Sequence, residues 1–250
     1  MTAEQWTTGR TRSGLTQVAA ARALKVSQRY LSQLETGLGT ASTQLARNAA
    51  RLYKLSPTAL PLPEPLVAQP SPPDDLQNRL ASLGYPGFEH LRARPTSNPA
   101  EVVLGAVVQR DLDPRLVEAL PWVLKTYPDL NWEWLRDRVK LQNAQNRLGY
   151  LVHLSAELAG ASPQLAHWEN ELEEARLASE GTLCRDSMRE PERKWLRANR
   201  SAAAAHWNLL TGITTDLCKQ LSSRQSRGEE IHIARGPRDG RPPSARAAAS

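Results

Sequence analysis

The segment "VSQRYLSQLETG", Val26 to Gly37, carries an unusual density of hydrogen-bonding side chains on what reads as a short helix. Its apolar residues recur at the spacing of one helix face: Val26, Tyr30, Leu31 and Leu34. The other faces carry polar groups that packing alone does not require: Gln28, Arg29, Ser32 and Gln33. Arginine can donate two hydrogen bonds to O6 and N7 of guanine, and glutamine can pair with N6 and N7 of adenine. The polar side chains of this helix could therefore recognise the edges of DNA bases.

A second short helix is predicted immediately upstream. Thr16 can cap the segment "QVAAARAL", whose small side chains allow another helix to approach closely. Two short helices joined by a tight turn form the helix-turn-helix unit, in which the second helix enters the major groove and presents side chains from its N-terminal half. The spacing of the two segments predicts this unit.

From Gln17 to Thr36 the segment "QVAAARALKVSQRYLSQLET" resembles the helix-turn-helix of the phage repressor and Cro family, and the resemblance extends over residues 8–60. Ala21 stands at the helix crossing and Val26 follows the turn. The ending "LETG" is common in that family, and "STQLARNAARLYKLSPTAL" matches its fourth helix and closing turn.

The resemblance implies a set of DNA-contacting residues and one structural pair. Arg10 matches the arginine that pairs with a glutamate, here Glu35. Gln28, Arg29 and Gln33 match base-reading positions, Ser27 and Ser32 lie beside them, and Gln17 and Thr36 match positions that hold backbone phosphates.

Two positions depart from the family pattern. Lys25 stands where the family usually has glycine in the turn, and holding a non-glycine residue at positive φ costs on the order of 1 kcal/mol. In the first helix Trp6 is the only bulky apolar residue. This helix is therefore expected to be short or to depend on the second domain.

Charge is divided unevenly along the 250 residues. Residues 1–60 hold 8 Lys or Arg against 2 Asp or Glu, residues 61–180 hold 11 against 17, and residues 181–250 hold 13 against 7. A compact basic N-terminal unit suits a polyanion, whereas an acidic middle would be repelled by one. Double-stranded DNA is the partner that the first part predicts, and the middle must serve another purpose.

The composition predicts an all-α protein, since three isoleucines and one phenylalanine are poor material for a sheet while Ala, Leu, Gln, Glu and Arg are frequent. Seven prolines fall within residues 56–75 and favour an extended spacer. The expected organisation is a helix-turn-helix domain at 1–60, a Pro-rich linker at 61–75, an α-helical dimerisation or interaction domain at 76–221, and a disordered basic tail at 222–250.

Within the second domain, Asn98-Pro99, Asp113-Pro114 and Asn131 are predicted helix starts. The helix after Asn131 is expected to run to a stop at Gly160, bent or divided at Gly149. A heptad-like stripe follows, interpreted as core packing with a dimer seam as the alternative: Ala203, Trp207, Leu210, Thr214, Leu217 and Leu221.

Six of the seven tryptophans lie between Trp122 and Trp207. They are interpreted mainly as core residues, with a peptide- or ligand-binding groove as the alternative. Trp132 and Trp134, two residues apart, point to different helix faces, so one of them is expected to meet a second surface.

Several function classes find no support in the sequence. Cys184 and Cys218 stand 34 residues apart without a CxxC motif or histidine companions, so neither zinc nor a disulfide framework is indicated, and a reducing cytoplasm is the expected compartment. No signal peptide and no eighteen-residue apolar run is present. Enzyme motifs are missing as well, and we expect no catalytic activity, cofactor or metal.

The second half is similar, over the phrases "LGYPGFEHL", "NPAEVVLGAV", "LVEALPWVL" and "WNLLT", to repressor-like antitoxins encoded beside nucleotidyltransferase-type toxins. No site residue is carried over from this similarity. The main hypothesis is a bacterial, homodimeric transcriptional regulator that represses its target. The alternative is an antitoxin whose residues 76–221 bind a toxin and whose DNA binding adjusts its own expression.

Overall fold

The computed structural model describes residues 1–63, 71–91, 97–160 and 162–225. Their regular secondary structure consists of helices and two strands of two residues each, which confirms the predicted all-α fold. Their buried apolar side chains form one cluster within residues 1–55, a second and larger one between Leu76 and Cys218, and a small third one of Met188, Leu196 and Leu210.

The N-terminal unit consists of α1 (Ala3–Arg12), α2 (Gln17–Leu24), α3 (Gln28–Glu35), α4 (Thr43–Leu52) and a 3₁₀ turn at Pro57–Ala59. Each α-helix begins after a hydroxyl residue whose side-chain oxygen accepts a hydrogen bond from a backbone N–H three positions later: Thr2, Thr16, Ser27 and Ser42. The predicted cap at Thr16 is thereby confirmed.

The turn between α2 and α3 holds Lys25 in the left-handed region, at φ 58° and ψ 41°. Its backbone N–H bonds to the carbonyl of Arg22, and the N–H of Val26 bonds to that of Ala21. The chain thus makes the tight turn with lysine in place of glycine and bears the associated conformational cost.

Helix α1 is anchored by Trp6, which is 2% exposed and meets the Tyr53 ring edge-on with centroids 6.3 Å apart. The alternative expectation, that this helix depends on the second domain, is wrong because its one large side chain is buried in the N-terminal core.

The second part begins with α5 (Pro73–Ser82), a kinked 3₁₀ segment at Pro86–Leu91, α6 (Pro99–Val107), α7 (Pro114–Glu118), α8 (Leu120–Thr126) and α9 (Trp132–Leu141). It continues through α10 (Gln145–Ala159), α11 (Pro163–Glu173), β1 (Gly181–Thr182), α12 (Glu190–Asn199), α13 (Ala202–His206), β2 (Leu209–Leu210) and α14 (Thr215–Gln225). The predicted caps at Asn98, Asp113 and Asn131 are confirmed, since each side chain accepts a backbone hydrogen bond.

The long helix expected after Asn131 is divided, but not at Gly149. It breaks between Leu141 and Gln145, where Asn143 adopts φ 52°. Gly149 lies inside α10 instead, and a Cβ there would stand 2.2 Å from the Trp207 ring. Its role is to let that ring approach, while Gly160 ends the helix at φ 76° as predicted.

The predicted stripe from Ala203 to Leu221 does not lie on one helix. Leu209 and Leu210 form a two-residue strand that pairs in parallel with Gly181 and Thr182, and this strand separates α13 from α14. The interruption removes a continuous dimer seam along this segment, while Trp207 and Leu210 are buried, as the core interpretation expected.

Trp132 and Trp134 differ in how deeply they are buried. Trp132 is buried and stacks on Trp168, with centroids 5.6 Å apart and an interplanar angle of 15°. Trp134 is half-buried, and the Arg138 guanidinium lies 4.4 Å from its ring centroid. Both rings pack against the same core, and the second surface expected for one of them stays a prediction.

The N-terminal unit is docked on the second part through its closing turn. The Asn98 side-chain amide donates to the carbonyls of Thr58 and Leu60 at 2.9 and 2.8 Å. The Thr58 hydroxyl donates to Asp129 at 2.6 Å.

Parts of the expected linker and tail lie outside the described residues. Residues 61–63 and 71–75 of the linker are described, and α5 begins within the second of these segments, at Pro73. Helix α14 continues past residue 222 to Gln225, and the remainder of the expected tail, 226–250, lies outside the described residues.

Candidate nucleic-acid interface

A concave surface lies where the start of α2 meets the exposed face of α3. Its lining contains six of the seven residues that the sequence predicts as DNA contacts, together with Leu38: Gln17, Gln28, Arg29, Ser32, Gln33 and Thr36. The remaining predicted residue, Ser27, lies at the N-terminal end of α3.

Ser27 is committed to the start of the helix. Its hydroxyl accepts a hydrogen bond from the Tyr30 backbone N–H at 3.1 Å. The cap places Gln28 and Arg29 in the first turn, where both side chains are exposed. Because this turn contains no acidic residue, its free N–H groups and the Arg29 guanidinium together favour a negatively charged partner.

The opposite face of α3 holds the helix in place. Leu31 and Leu34 are buried at 0% and 2% exposure. Ser32 and Gln33, on the flank, are half-buried and thus have restricted positions at the groove edge. This division follows directly from the apolar spacing seen in the sequence.

A chain of polar contacts orients the surface from behind. The Gln17 side-chain amide donates to Glu35 Oε2 at 3.0 Å, and its oxygen accepts from Gln28 Nε2 at 3.3 Å. Glu35 in turn is held by Arg10. Burial alone would raise the pKa of Glu35, but the hydrogen bonds from Arg10 and Gln17 outweigh it and the pKa lies below its ordinary value. The carboxylate therefore stays charged and fixes the position of Gln17.

Thr36 ends α3, and its hydroxyl donates to the Ser32 carbonyl at 2.9 Å. After donating this bond, the hydroxyl oxygen of Thr36 can still accept a hydrogen bond, but its proton is already used. Gln17 and Thr36 thus flank the groove at the two ends that the resemblance assigns to phosphate contacts.

Leu38 is the residue of this surface that sequence reasoning missed. It is 83% exposed, directly after Gly37 at φ 76°, and its backbone N–H bonds to the Gln33 carbonyl. A large apolar side chain in an otherwise polar loop was the available signal. In a major groove, such a side chain can contact a thymine methyl group.

The described part of the chain also bears on other classes of site. It contains no group of three or more His, Cys, Asp or Glu side chains placed to hold a metal ion. No helix in it is both long and apolar enough to cross a membrane. Cys184 and Cys218 are buried free thiols, and burial raises their pKa values to about 11 and about 12.

Comparison with known proteins agrees with this geometry. Comparison with curated proteins and with solved structures returned no significant match for the chain. A family model described as "Helix-turn-helix domain" matches residues 8–62, the segment that carries the concave surface. The N-terminal part of this protein is a helix-turn-helix domain.

Proposed function

We propose that the protein is a DNA-binding transcriptional regulator that places α3 in the major groove of an operator and acts in the cytoplasm as a repressor. The observation that carries the proposal is the single concave surface formed by six side chains with hydrogen-bonding groups. In the proposed complex Arg29 reads guanine, and Gln28 and Gln33 read adenine or a neighbouring base.

The charge distribution supports this orientation. Residues 1–60 carry a formal charge of +6, whereas residues 61–180 carry −6. A polyanion is attracted to residues 1–60 and repelled by residues 61–180, so the duplex is expected to approach the N-terminal unit, which carries α2 and α3. This electrostatic attraction alone gives affinity for DNA without sequence preference, and the side chains of the groove supply the selectivity.

A homodimer is part of the proposal. One recognition helix touches only a few base pairs, so helix-turn-helix proteins commonly pair and read two half-sites about one helical turn apart. The N-terminal unit exposes two large apolar side chains, Val18 and Leu38, and Leu38 lies in the DNA-facing groove. The pairing surface is therefore assigned to the second part.

Capture of a protein partner by the second part, as in an antitoxin, is the alternative function. Trp195 on α12 favours it, because this tryptophan is 61% exposed although the next residue, Leu196, is buried and anchors the helix. Exposed tryptophans are enriched among residues that dominate protein interfaces. Co-purification with the product of a neighbouring gene, lost in Trp195→Ala, would support this alternative.

Footprinting of the purified protein on the DNA upstream of its own gene tests the main proposal. We expect protection of two half-sites about one helical turn apart, and a reporter gene behind this DNA should be silenced by the protein. Protection that is uniform along any duplex, or absent at low salt, would contradict sequence-specific binding.

A further inference from the structure

A cavity of about 610 Å³ lies between the helix-turn-helix domain and the second part. Its lining comes from Met1 and the start of α1, from the end of α3, the following loop and α4, and also from Pro61–Pro63 and from Glu101 in α6. This volume falls in the range of small-molecule sites, which occur preferentially where two domains meet.

Arg47 is the unusual feature of this cavity. It lies on α4, beside Ala46, and its side-chain Nε is fully buried without a hydrogen-bond partner. Within the described residues its guanidinium makes no ion pair. A buried N–H of a charged group is costly to leave without a hydrogen-bond partner, and arginine cannot escape this cost by losing its proton.

The carboxylate of Glu101 does not neutralise Arg47. Glu101 Oε1 is paired with Arg79 Nη1 at 2.8 Å, so its charge is already compensated within the second part. The rest of the wall includes apolar surface from Trp6, Leu34 and Leu62. The lining of the cavity therefore includes a cation from Arg47, an acceptor from Glu101 and some apolar side chains.

We propose that this cavity binds a small organic anion, whose carboxylate or phosphate group is held by Arg47 and whose own N–H or O–H group faces Glu101. Such an anion supplies two acceptor oxygens that a guanidinium group can bind with two parallel hydrogen bonds. Because Leu34 belongs to the recognition helix and Leu62 packs on the second core, a ligand here touches both parts and biases the orientation of α3.

Melting of the full-length protein tests the site with three probes, namely L-malate, L-glutamate and glycerol 3-phosphate, each compared with sodium chloride at equal ionic strength. We expect at least one probe to raise the midpoint by about 3 °C or more above the chloride control. Comparing the two carboxylate probes with glycerol 3-phosphate shows whether the bound anion is a carboxylate or a phosphate. A response no larger than that of chloride for all three probes overturns the proposal.

Variants on one helix face assign the response to Arg47. Arg47→Gln should abolish the shift and Arg47→Lys should keep part of it, because the ammonium retains the charge without the planar fork. Arg51→Gln is the matched control, since Arg51 lies one turn later on α4, is exposed and does not line the cavity. An undiminished shift in Arg47→Gln would show that the anion binds elsewhere.

Only the regulatory consequence rests on the proposed DNA binding. The melting experiment contains no DNA, so a failure of operator binding leaves its outcome unaffected. A second measurement, the affinity for the footprinted DNA with and without the active probe, should change by about threefold or more in the wild type and not in Arg47→Gln. Binding without any such change would retain the site and refute the coupling.

Discussion

Arg10 in α1 and Glu35 at the end of α3 form a two-bonded ion pair, with Nε–Oε1 at 2.6 Å and Nη2–Oε2 at 3.1 Å. Arg10 also donates to the Leu15 carbonyl at 2.9 Å. One side chain thus connects the first helix, the entry to α2 and the end of the recognition helix. The predicted pairing is confirmed, and its connection to Gln17 makes it a support for the DNA-facing surface as well.

Replacing Arg10 by alanine should destabilise the helix-turn-helix domain by about 2–4 kcal/mol, because Glu35 is left as a largely buried charge without its main partner. Amide hydrogen exchange in α1 and α3 should accelerate by about thirtyfold or more, while exchange in α8 and α10 stays unchanged. Arg12→Ala is the matched control, since Arg12 is exposed in the same last turn. Equal effects of the two substitutions would show that the ion pair contributes nothing specific.

Arg29→Ala and Gln28→Ala should each weaken operator binding by about 1–3 kcal/mol and relax selectivity at one base pair. Both side chains are exposed, so melting temperature should not change appreciably. Titration of duplexes with each base pair varied in turn measures both quantities. Arg51→Ala, which removes an exposed charge outside the groove, should leave the base preference intact. A loss that is equal on every duplex would reassign Arg29 and Gln28 to phosphate contacts.

Gly149→Ala should destabilise the second part by about 1–3 kcal/mol, even though alanine favours helices, because its methyl group would overlap the Trp207 ring. Urea unfolding measures the change. Gly212→Ala is the control, since its Cβ would meet only Leu196 at 3.9 Å. Combining Gly149→Ala with Trp207→Leu should cost less than the sum of the two single changes, and strict additivity would argue against the clash.

The N-terminal unit was largely predictable from the sequence because the sequence patterns that specify its helices are local. A hydroxyl before each helix, apolar spacing on α3 and the polar residues between them all act within a few positions. The ion pair of Arg10 and Glu35 could be named only through the family resemblance, since 25 residues separate the two groups. The exposure of Leu38 depends on how the loop after α3 folds, which no spacing rule supplies.

The second half shows why periodicity fails when packing is non-local. Leu210 fits the predicted helical stripe, yet it pairs with Thr182 in a short strand because the chain returns to that segment. Arg147 illustrates the same limit. It donates to carbonyls 35 to 40 residues away, including that of Thr182 at 2.8 Å. Contacts between residues so far apart in the chain hold the start of α10 in place, but they leave no pattern in the sequence near Arg147.

Glu118 makes the second part sensitive to pH. Burial, with a smaller contribution from Asp113, raises the pKa of this carboxyl to about 7 from its ordinary 4.5. A raised folded pKa means that folding favours the neutral acid, so stability falls as pH rises from 4.5 through 7 and the penalty is fully present above 7. Its size is on the order of 3 kcal/mol.

Glu118→Gln should therefore be more stable than the wild type at pH 8 and close to it at pH 4.5, as read by urea unfolding at both values. The amide has the same shape and no charge to desolvate. Glu89→Gln, on an exposed side chain, should reproduce the pH dependence of the wild type. If Glu118→Gln keeps that dependence unaltered, another group is responsible for it.

Asn98 should control how firmly the helix-turn-helix domain is attached to the second part, because one side chain performs two tasks. Its oxygen accepts from the Ala100 N–H at 2.9 Å and caps α6, while its amide donates to the carbonyls of Thr58 and Leu60. Asn98→Asp keeps the cap, since a carboxylate oxygen accepts the same bond, but it cannot donate and repels both carbonyls. We expect faster hydrogen exchange at 57–62 and a larger radius of gyration in solution scattering, with α6 still protected.

Asn98→Ala should add a loss of about 1 kcal/mol at the start of α6, since it removes the cap as well. If Asn98→Asp and the wild type give the same scattering curve and the same exchange at 57–62, the attachment depends on other contacts, of which the bond from Thr58 to Asp129 is the next to remove.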